Sequence, residues 1–201
     1  GIDVIDLAMA TTPTVEMVVP RANAQGGIIL TASHNPKQWN ALKLLDANGE
    51  FLSAEAGAQI LALAEQEDFN FASVDDLGSV TADDTSLDMH IQAVLNHPLV
   101  DLESIRSSGF KVVVDGVNSI GGIAIPALLK ELNIEVIELF CEPNGQFPHN
   151  PEPLKEHLGD LSALVIESGA DLGLVVDPDV DRLAFMDENG AMFGEEYTLV
   201  A

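Results

Sequence analysis

Strand-length apolar runs that alternate with segments of helical spacing set the main constraint on this chain. Phe110-Lys-Val-Val-Val-Asp115, Ile134-Glu-Val-Ile-Glu-Leu139, Leu172-Gly-Leu-Val-Val176 and Leu183-Ala-Phe-Met186 are short, bounded by turn residues and rich in β-branched side chains. Between them, the turn Asn118–Gly122 leads into a helix to about Leu132, and Leu154 to about Ser168 also reads as helical. The first half follows a similar plan. Ile2–Leu7 alternates like a strand. Thr12-Pro13 opens a helix, with Thr12 expected as the cap and Pro13 at the first helical position. Gly27–Thr31 and Ala41–Asp46 read as strands, the second closed by the turn Ala47-Asn48-Gly49. Ser53 is expected to cap a helix reaching about Glu67, and Leu87–Leu95 is expected to be helical. Residues 68–83 read as polar and irregular. The stretch from His97 to Gly109, with Pro98, Ser107 and Ser108, reads as a domain junction. The alternation implies an α/β fold whose sheets are covered by helices on both faces.

Charge narrows the classes of partner. Eight Lys and Arg face 33 Asp and Glu, a formal net charge of −25. Such a surface argues against nucleic acid or an anionic membrane, since either requires a basic patch to displace counterions. The apolar runs fall far short of the roughly 20 residues that span a bilayer. Cys141 is the single cysteine, so neither a disulfide framework nor a cysteine zinc site is expected. With no basic segment preceding an apolar one at the start, the chain is expected to be cytoplasmic. It opens at Gly1 without Met and closes on Glu195–Ala201, which reads as a helix lacking a stop signal. A piece of a longer protein is therefore expected.

Two stretches carry chemistry at the ends of apolar runs. Asp177-Pro-Asp179-Val-Asp181-Arg182 places three carboxylates at i, i+2 and i+4. They can converge on one cation if the chain turns as it leaves the strand, and an all-oxygen set suits a hard ion such as Mg²⁺ or Ca²⁺. The position also fits ligand binding at the carboxyl ends of strands in open α/β sheets. An EF-hand would require Gly where Arg182 stands, and helices where these strands flank the loop. An aspartyl-phosphate phosphatase with Asp177 as nucleophile and Asp179 as acid/base is a second alternative, although Asp181 departs from the residue such a motif requires. A solvated acidic turn is the plainest reading.

Thr31-Ala-Ser33-His34-Asn-Pro36 is the second stretch. Thr31 and Asn35 stand where a hydrolase nucleophile elbow needs Gly, so that reading fails. Ser33 is suited to carrying a phosphoryl group if cations lie nearby, and His34, Lys37 and Lys43 are close in sequence. A loop that uses Ser, Asn and Pro only as turn residues fits equally. Of the eight cations, Lys37, Lys43 and Arg182 fall inside or beside these two stretches. A third stretch, Asn144-Gly-Gln-Phe-Pro-His149-Asn-Pro-Glu-Pro153, is too rich in proline for regular structure. His149 reads either as a ligand or acid–base group, or as a structural hydrogen-bonding residue. His90, His97 and His157 show no partner pattern and read as structural or surface residues.

Taken together, Thr31–Pro36, Phe147-Pro-His-Asn-Pro-Glu-Pro153 and Asp177–Arg182 resemble, in order and separation, the serine signature, an internal segment and the metal loop of the α-D-phosphohexomutases. That family includes phosphoglucomutase, phosphomannomutase and phosphoglucosamine mutase. Val180 stands where its metal loop usually has Gly or Ala. The resemblance implies two consecutive, similar three-layer α/β/α domains with mixed sheets. Residues 1–105 would be the first, lacking its N-terminal part, and residues 106–201 the second. Two C-terminal domains would be missing, and the piece alone would be inactive. The resemblance further implies that Ser33 is stored as phosphoserine and that its phosphate, with Asp177, Asp179 and Asp181, binds one Mg²⁺. Lys43 would be the general base near the accepting hydroxyl, His34 would orient the serine loop, and Arg182 and Lys37 would support the metal loop or the phosphate. The implied substrate is a hexose or hexosamine phosphate whose 1- and 6-phosphates are interconverted through a bisphosphate. The residues themselves leave open a noncatalytic divalent-cation module, or a phosphatase built on Asp177.

Overall fold

Both halves of the chain alternate strand and helix, but they bury their apolar residues to different degrees. The structure, a computed structural model, describes residues 1–35, 38–194 and 198. In the first half, β1 (Val4–Asp6), α1 (Thr12–Arg21), β2 (Gly27–Leu30), β3 (Leu42–Leu45), α2 (Ala54–Gln66), β4 (Val80–Ala82) and α3 (Ser86–Leu95) follow in order. Strands β1 and β4 pair parallel, whereas β2 and β3 form an antiparallel hairpin with Ile28 opposite Leu44. Among the described residues a small core, Val19, Ile29 and Leu45 with Val15 and Ala24 against them, lies between α1 and the hairpin. Pro20 cannot donate to the carbonyl four residues back, which is Glu16 O. A Cβ on Gly49, at φ 80°, would collide with that carbonyl, so glycine is what lets the turn after β3 close against the helix.

The second half comprises α4 (Leu102–Ser107), β5 (Lys111–Asp115), α5 (Gly121–Glu131), β6 (Glu135–Leu139), α6 (Gly159–Ser168), β7 (Leu172–Val176) and β8 (Leu183–Asp187). Its sheet runs β6-β5-β7-β8, with β5 parallel to both neighbours and β7 antiparallel to β8. The consecutive valines of β5 are buried on both faces, as expected of a central parallel strand. Val113 packs with Leu158, Leu161, Val165, Val175, Ala184 and Met186 on the α6 side. Val112 and Val114 point the other way, to Leu129 and Leu132 of the α5 side and to Ile91 and Leu95 of α3. Helix, sheet and helix thus form three layers, and α3 adds to the core of this second sheet.

The structure departs from the sequence reading in several local details. Thr11, not Thr12, caps α1: its side chain accepts from Thr14 N at 3.1 Å. Residues 68–83 are not wholly irregular, since they hold a 3-10 turn (Val74–Asp76) and β4. The region of the expected junction contains α4, capped by Asp101. The helix expected from Leu154 splits into a 3-10 turn (Lys155–His157) and α6, which starts only at Gly159. The helix expected over Glu195–Ala201 lies outside the described residues apart from Thr198. Among the described residues, no helix is long and apolar enough to cross a membrane.

Candidate active site

At the carboxyl end of β7 the chain turns through Asp177–Arg182 and returns as β8. Val180 N donates to Asp177 O at 3.1 Å, and Asp181 N and Arg182 N both donate to Asp177 Oδ1, at 3.1 and 3.0 Å. Val180 sits at φ 62°, a left-handed conformation that costs a β-branched residue roughly 1–2 kcal/mol. That cost explains why a small residue suits this position. Its side chain lines a small, mostly apolar cavity with Pro13, Ile91 and Ile125, and Ser119 Oγ ties the loop down by donating to Pro178 O at 2.6 Å. The turn brings one carboxylate oxygen from each of Asp177, Asp179 and Asp181 within 4.8 Å of the others, the convergence expected of a cation site.

The serine loop leaves β2 and faces this turn. Ser33 is also left-handed, at φ 49°, with its N–H donating to Thr31 Oγ1 at 2.9 Å. Its hydroxyl donates to Asp177 Oδ2 at 2.8 Å, a contact between residues 144 apart in sequence. His34 Nδ1 lies 3.4 Å from Ser33 Oγ. Lys43, on β3, places its ammonium between Asp179 Oδ2 and Asp181 Oδ2, with the Phe51 ring 5.6 Å away. Arg182 reaches Glu152 Oε1 at 3.5 Å, so its guanidinium links the Asp177–Arg182 turn to the proline-rich segment. Lys37 lies outside the described residues.

Burial and like charge give the cluster its electrostatics. Burial pushes Asp177 up to about 7, aided by repulsion from Asp179 and offset in part by the Ser33 hydrogen bond. Burial also acts to raise Asp179, but the bonds from Lys43 and Thr12 outweigh it and hold that carboxyl below its usual range. Burial alone would lower Lys43, whereas its two carboxylate partners keep it above the ordinary lysine value. Glu16, reaching toward the loop from α1, is raised by burial and by Asp181.

The donor set fits a hard divalent cation. Its oxygens converge, and Asp179 Oδ1 is buried without a hydrogen-bond partner among the described residues, an arrangement costly unless a cation completes it. Two partners near this end of the sheet had no signal in the sequence. Thr12 Oγ1 donates to Asp179 Oδ2 at 2.7 Å, and Asp115 Oδ2, at the end of β5, accepts from His149 Nε2 at 2.9 Å. Each joins residues far apart in the chain, so only the folded chain reveals them. His90 is structural, bonded to Thr14 Oγ1 at 2.8 Å.

Comparison with known proteins agrees with this geometry. Residues 1–71 match the family description "Phosphoglucomutase/phosphomannomutase, alpha/beta/alpha domain I", and residues 88–190 match "alpha/beta/alpha domain II". The chain belongs to the α-D-phosphohexomutase family. A phosphoglucomutase/phosphomannomutase of Thermococcus kodakarensis is 40% identical over 94% of this chain and 41% of its own length. A Methanopyrus kandleri protein named "Probable phosphoglucosamine mutase" is 35% identical over 99% of this chain and 43% of its own length. A crystal structure of a candidate phosphomannomutase from Thermus thermophilus superposes with TM-score 0.86 at 27% identity, covering 99% of this chain and 45% of that one. The chain therefore spans about two fifths of the length of the curated phosphohexomutases it matches.

Proposed function

We propose that Ser33, Lys43 and the Asp177–Asp181 triplet are the phosphoryl-transfer centre of a phosphohexomutase, completed in the whole protein by further domains. The observation that carries this is the Ser33 hydroxyl donating to Asp177 Oδ2 at 2.8 Å while, among the described residues, Asp179 Oδ1 has no partner in the same cluster. The names of the relatives support a hexose or hexosamine phosphate as substrate. A chain of two fifths of their length is expected to be inactive alone. The acidic charge is in keeping with a cytoplasmic enzyme.

In this reading Asp177, Asp179 and Asp181 hold one Mg²⁺ beside the serine. When bound, the ion supplies charge neutralisation and Lewis-acid polarisation of a phosphate on Ser33. The residues of the chain do the positioning. The strained turn at Ser33 presents Oγ to the cluster, and His34 fixes the loop. Transfer breaks the bond between phosphorus and Ser33 Oγ and forms one to a hydroxyl of the sugar phosphate, which gives up its proton. The resulting bisphosphate then returns its other phosphate to Ser33. Lys43 is placed to take the proton, but while Asp179 and Asp181 hold it the group is an ammonium. It would act as a base if a cation held by Asp177, Asp179 and Asp181 met the charge of those carboxylates in its place. Arg182, bonded to Glu152, braces the loop. Lys37 is assigned a supporting role toward the phosphate.

Asp177 as the nucleophile of a phosphatase is disfavoured. It is fully buried, Oδ1 accepts two backbone N–H groups, and Oδ2 is engaged by Ser33. The test is Ser33→Ala in the full-length protein. Interconversion of hexose 1- and 6-phosphates should vanish with the fold intact; retained turnover would refute the assignment.

A further inference from the structure

We propose that Thr12 is a positioning residue that sets the orientation of the Asp179 carboxylate. Its hydroxyl holds Oδ2, so that Oδ1 is the oxygen turned toward the cation site. The inference deepens the proposed function and rests on its metal reading.

Thr12 and Asp179 are both buried, at 1% and 4% exposure, and stand 167 residues apart. Two bonds join them. Thr12 N donates to Asp179 O at 2.8 Å and Thr12 Oγ1 donates to Asp179 Oδ2 at 2.7 Å. The first occupies an N–H that the opening turn of α1 leaves without an intrahelical partner, and would by itself dock the helix on the loop. The second is directed at one carboxylate oxygen. Lys43 donates to that same oxygen, so among the described residues Oδ2 carries two donors while Oδ1 carries none. A carboxylate held in this way cannot exchange its oxygens without breaking both bonds.

The neighbouring threonines serve other ends. Thr11 caps the helix, and its hydroxyl also lies 2.7 Å from that of Thr14; Thr14 in turn meets His90 Nδ1. These contacts pin the start of α1, which fixes where the Thr12 hydroxyl points. On the other side, the left-handed Val180 fixes the peptide that follows Asp179. A hydroxyl from the first half of the chain thus orients a ligand carried by the second, the role that partners behind a ligand play in metal sites.

Thr12→Val keeps the buried shape and removes the hydroxyl, and Thr12→Ser keeps the hydroxyl. In the full-length protein, calorimetric titration with Mg²⁺ or Mn²⁺ should show Thr12→Val binding about 10- to 100-fold more weakly, with Thr12→Ser close to the unsubstituted protein. Thr12→Ala carries the same expectation should Thr12→Val fail to fold. Unweakened binding by Thr12→Val, or equal weakening by Thr12→Ser, would overturn the proposal. Metal-free crystal structures give a readout that does not depend on binding: the Asp179 carboxylate should rotate in Thr12→Val and stay in Thr12→Ser. An unmoved carboxylate in Thr12→Val contradicts the role of Thr12. An unsubstituted protein that binds no metal, but whose Thr12→Val structure shows the rotation, would instead contradict the metal reading.

Discussion

Removing the imidazole of His149 should destabilise the protein far more than a loop histidine ordinarily would. Nε2 lies 2.9 Å from Asp115 Oδ2, Nδ1 lies 2.8 Å from Asn150 O, and the ring meets Phe140 edge-on at 5.9 Å between centroids. Asp115 is 1% exposed, and its other oxygen already accepts from Val117 N at 3.0 Å. His149→Ala leaves that carboxylate buried and half-partnered, and breaking a buried pair from one side costs about 3–5 kcal/mol. For a chain of this size that lowers the melting temperature by about 6–20 °C. Urea denaturation of both single alanine variants and of the double variant closes the cycle. The double loss should fall short of the summed single losses by more than about 1 kcal/mol.

The pH dependence has a definite sign. Burial acts to lower the His149 pKa, but the bonds to Asp115 and Asn150 outweigh it and the net shift is upward from 6.5. A raised histidine contributes stability that is full below 6.5 and is lost as pH rises through the folded value. The gap between the unsubstituted protein and His149→Ala should therefore narrow with rising pH. A single-variant loss below about 1 kcal/mol, or a gap that widens with pH, would refute the reasoning.

Three further outcomes follow from packing and charge. Leu161 is fully buried on the α6 face of the second sheet, so Leu161→Ala should cost about 2–5 kcal/mol, measured by urea denaturation. A Cβ on Gly122 would collide with the Cys141 backbone. Gly122→Ala should thus force α5 away from the segment after β6, costing about 1–3 kcal/mol by thermal melting. Lys43→Met removes the cation between Asp179 and Asp181. In chelator it should destabilise the protein by about 1–3 kcal/mol, and added Mg²⁺ should recover most of that loss in a thermal shift assay.

The alternation of apolar runs was enough to read the second sheet, because β5 and β7 are dense in valine and leucine and buried on both sides. β4 was hidden because it is only three residues long, Val80-Thr-Ala82, and sits in a polar stretch, too short to show an alternating pattern. α4 was masked by the Pro, Ser and Gly residues that surround it, although Asp101 is an ordinary helix cap. The cap of α1 lies one residue before the one that Pro13 points to, because two adjacent threonines can each cap and only the bond from Thr14 N to Thr11 Oγ1 decides between them. The acidic triplet was legible because its chemistry is local: three carboxylates at alternate positions after a strand. The partners of Asp179 and Asp115 were not, because folding creates those contacts between residues that no spacing rule links.

Most direct for the central claim is a map of where phosphate resides on the full-length protein. After incubation with a hexose bisphosphate and Mg²⁺, peptide mass spectrometry should find one phosphoryl group on Ser33 and none on the Ser33→Ala variant. Phosphate trapped on Asp177, or a Ser33 that stays unmodified in an active preparation, would contradict the account.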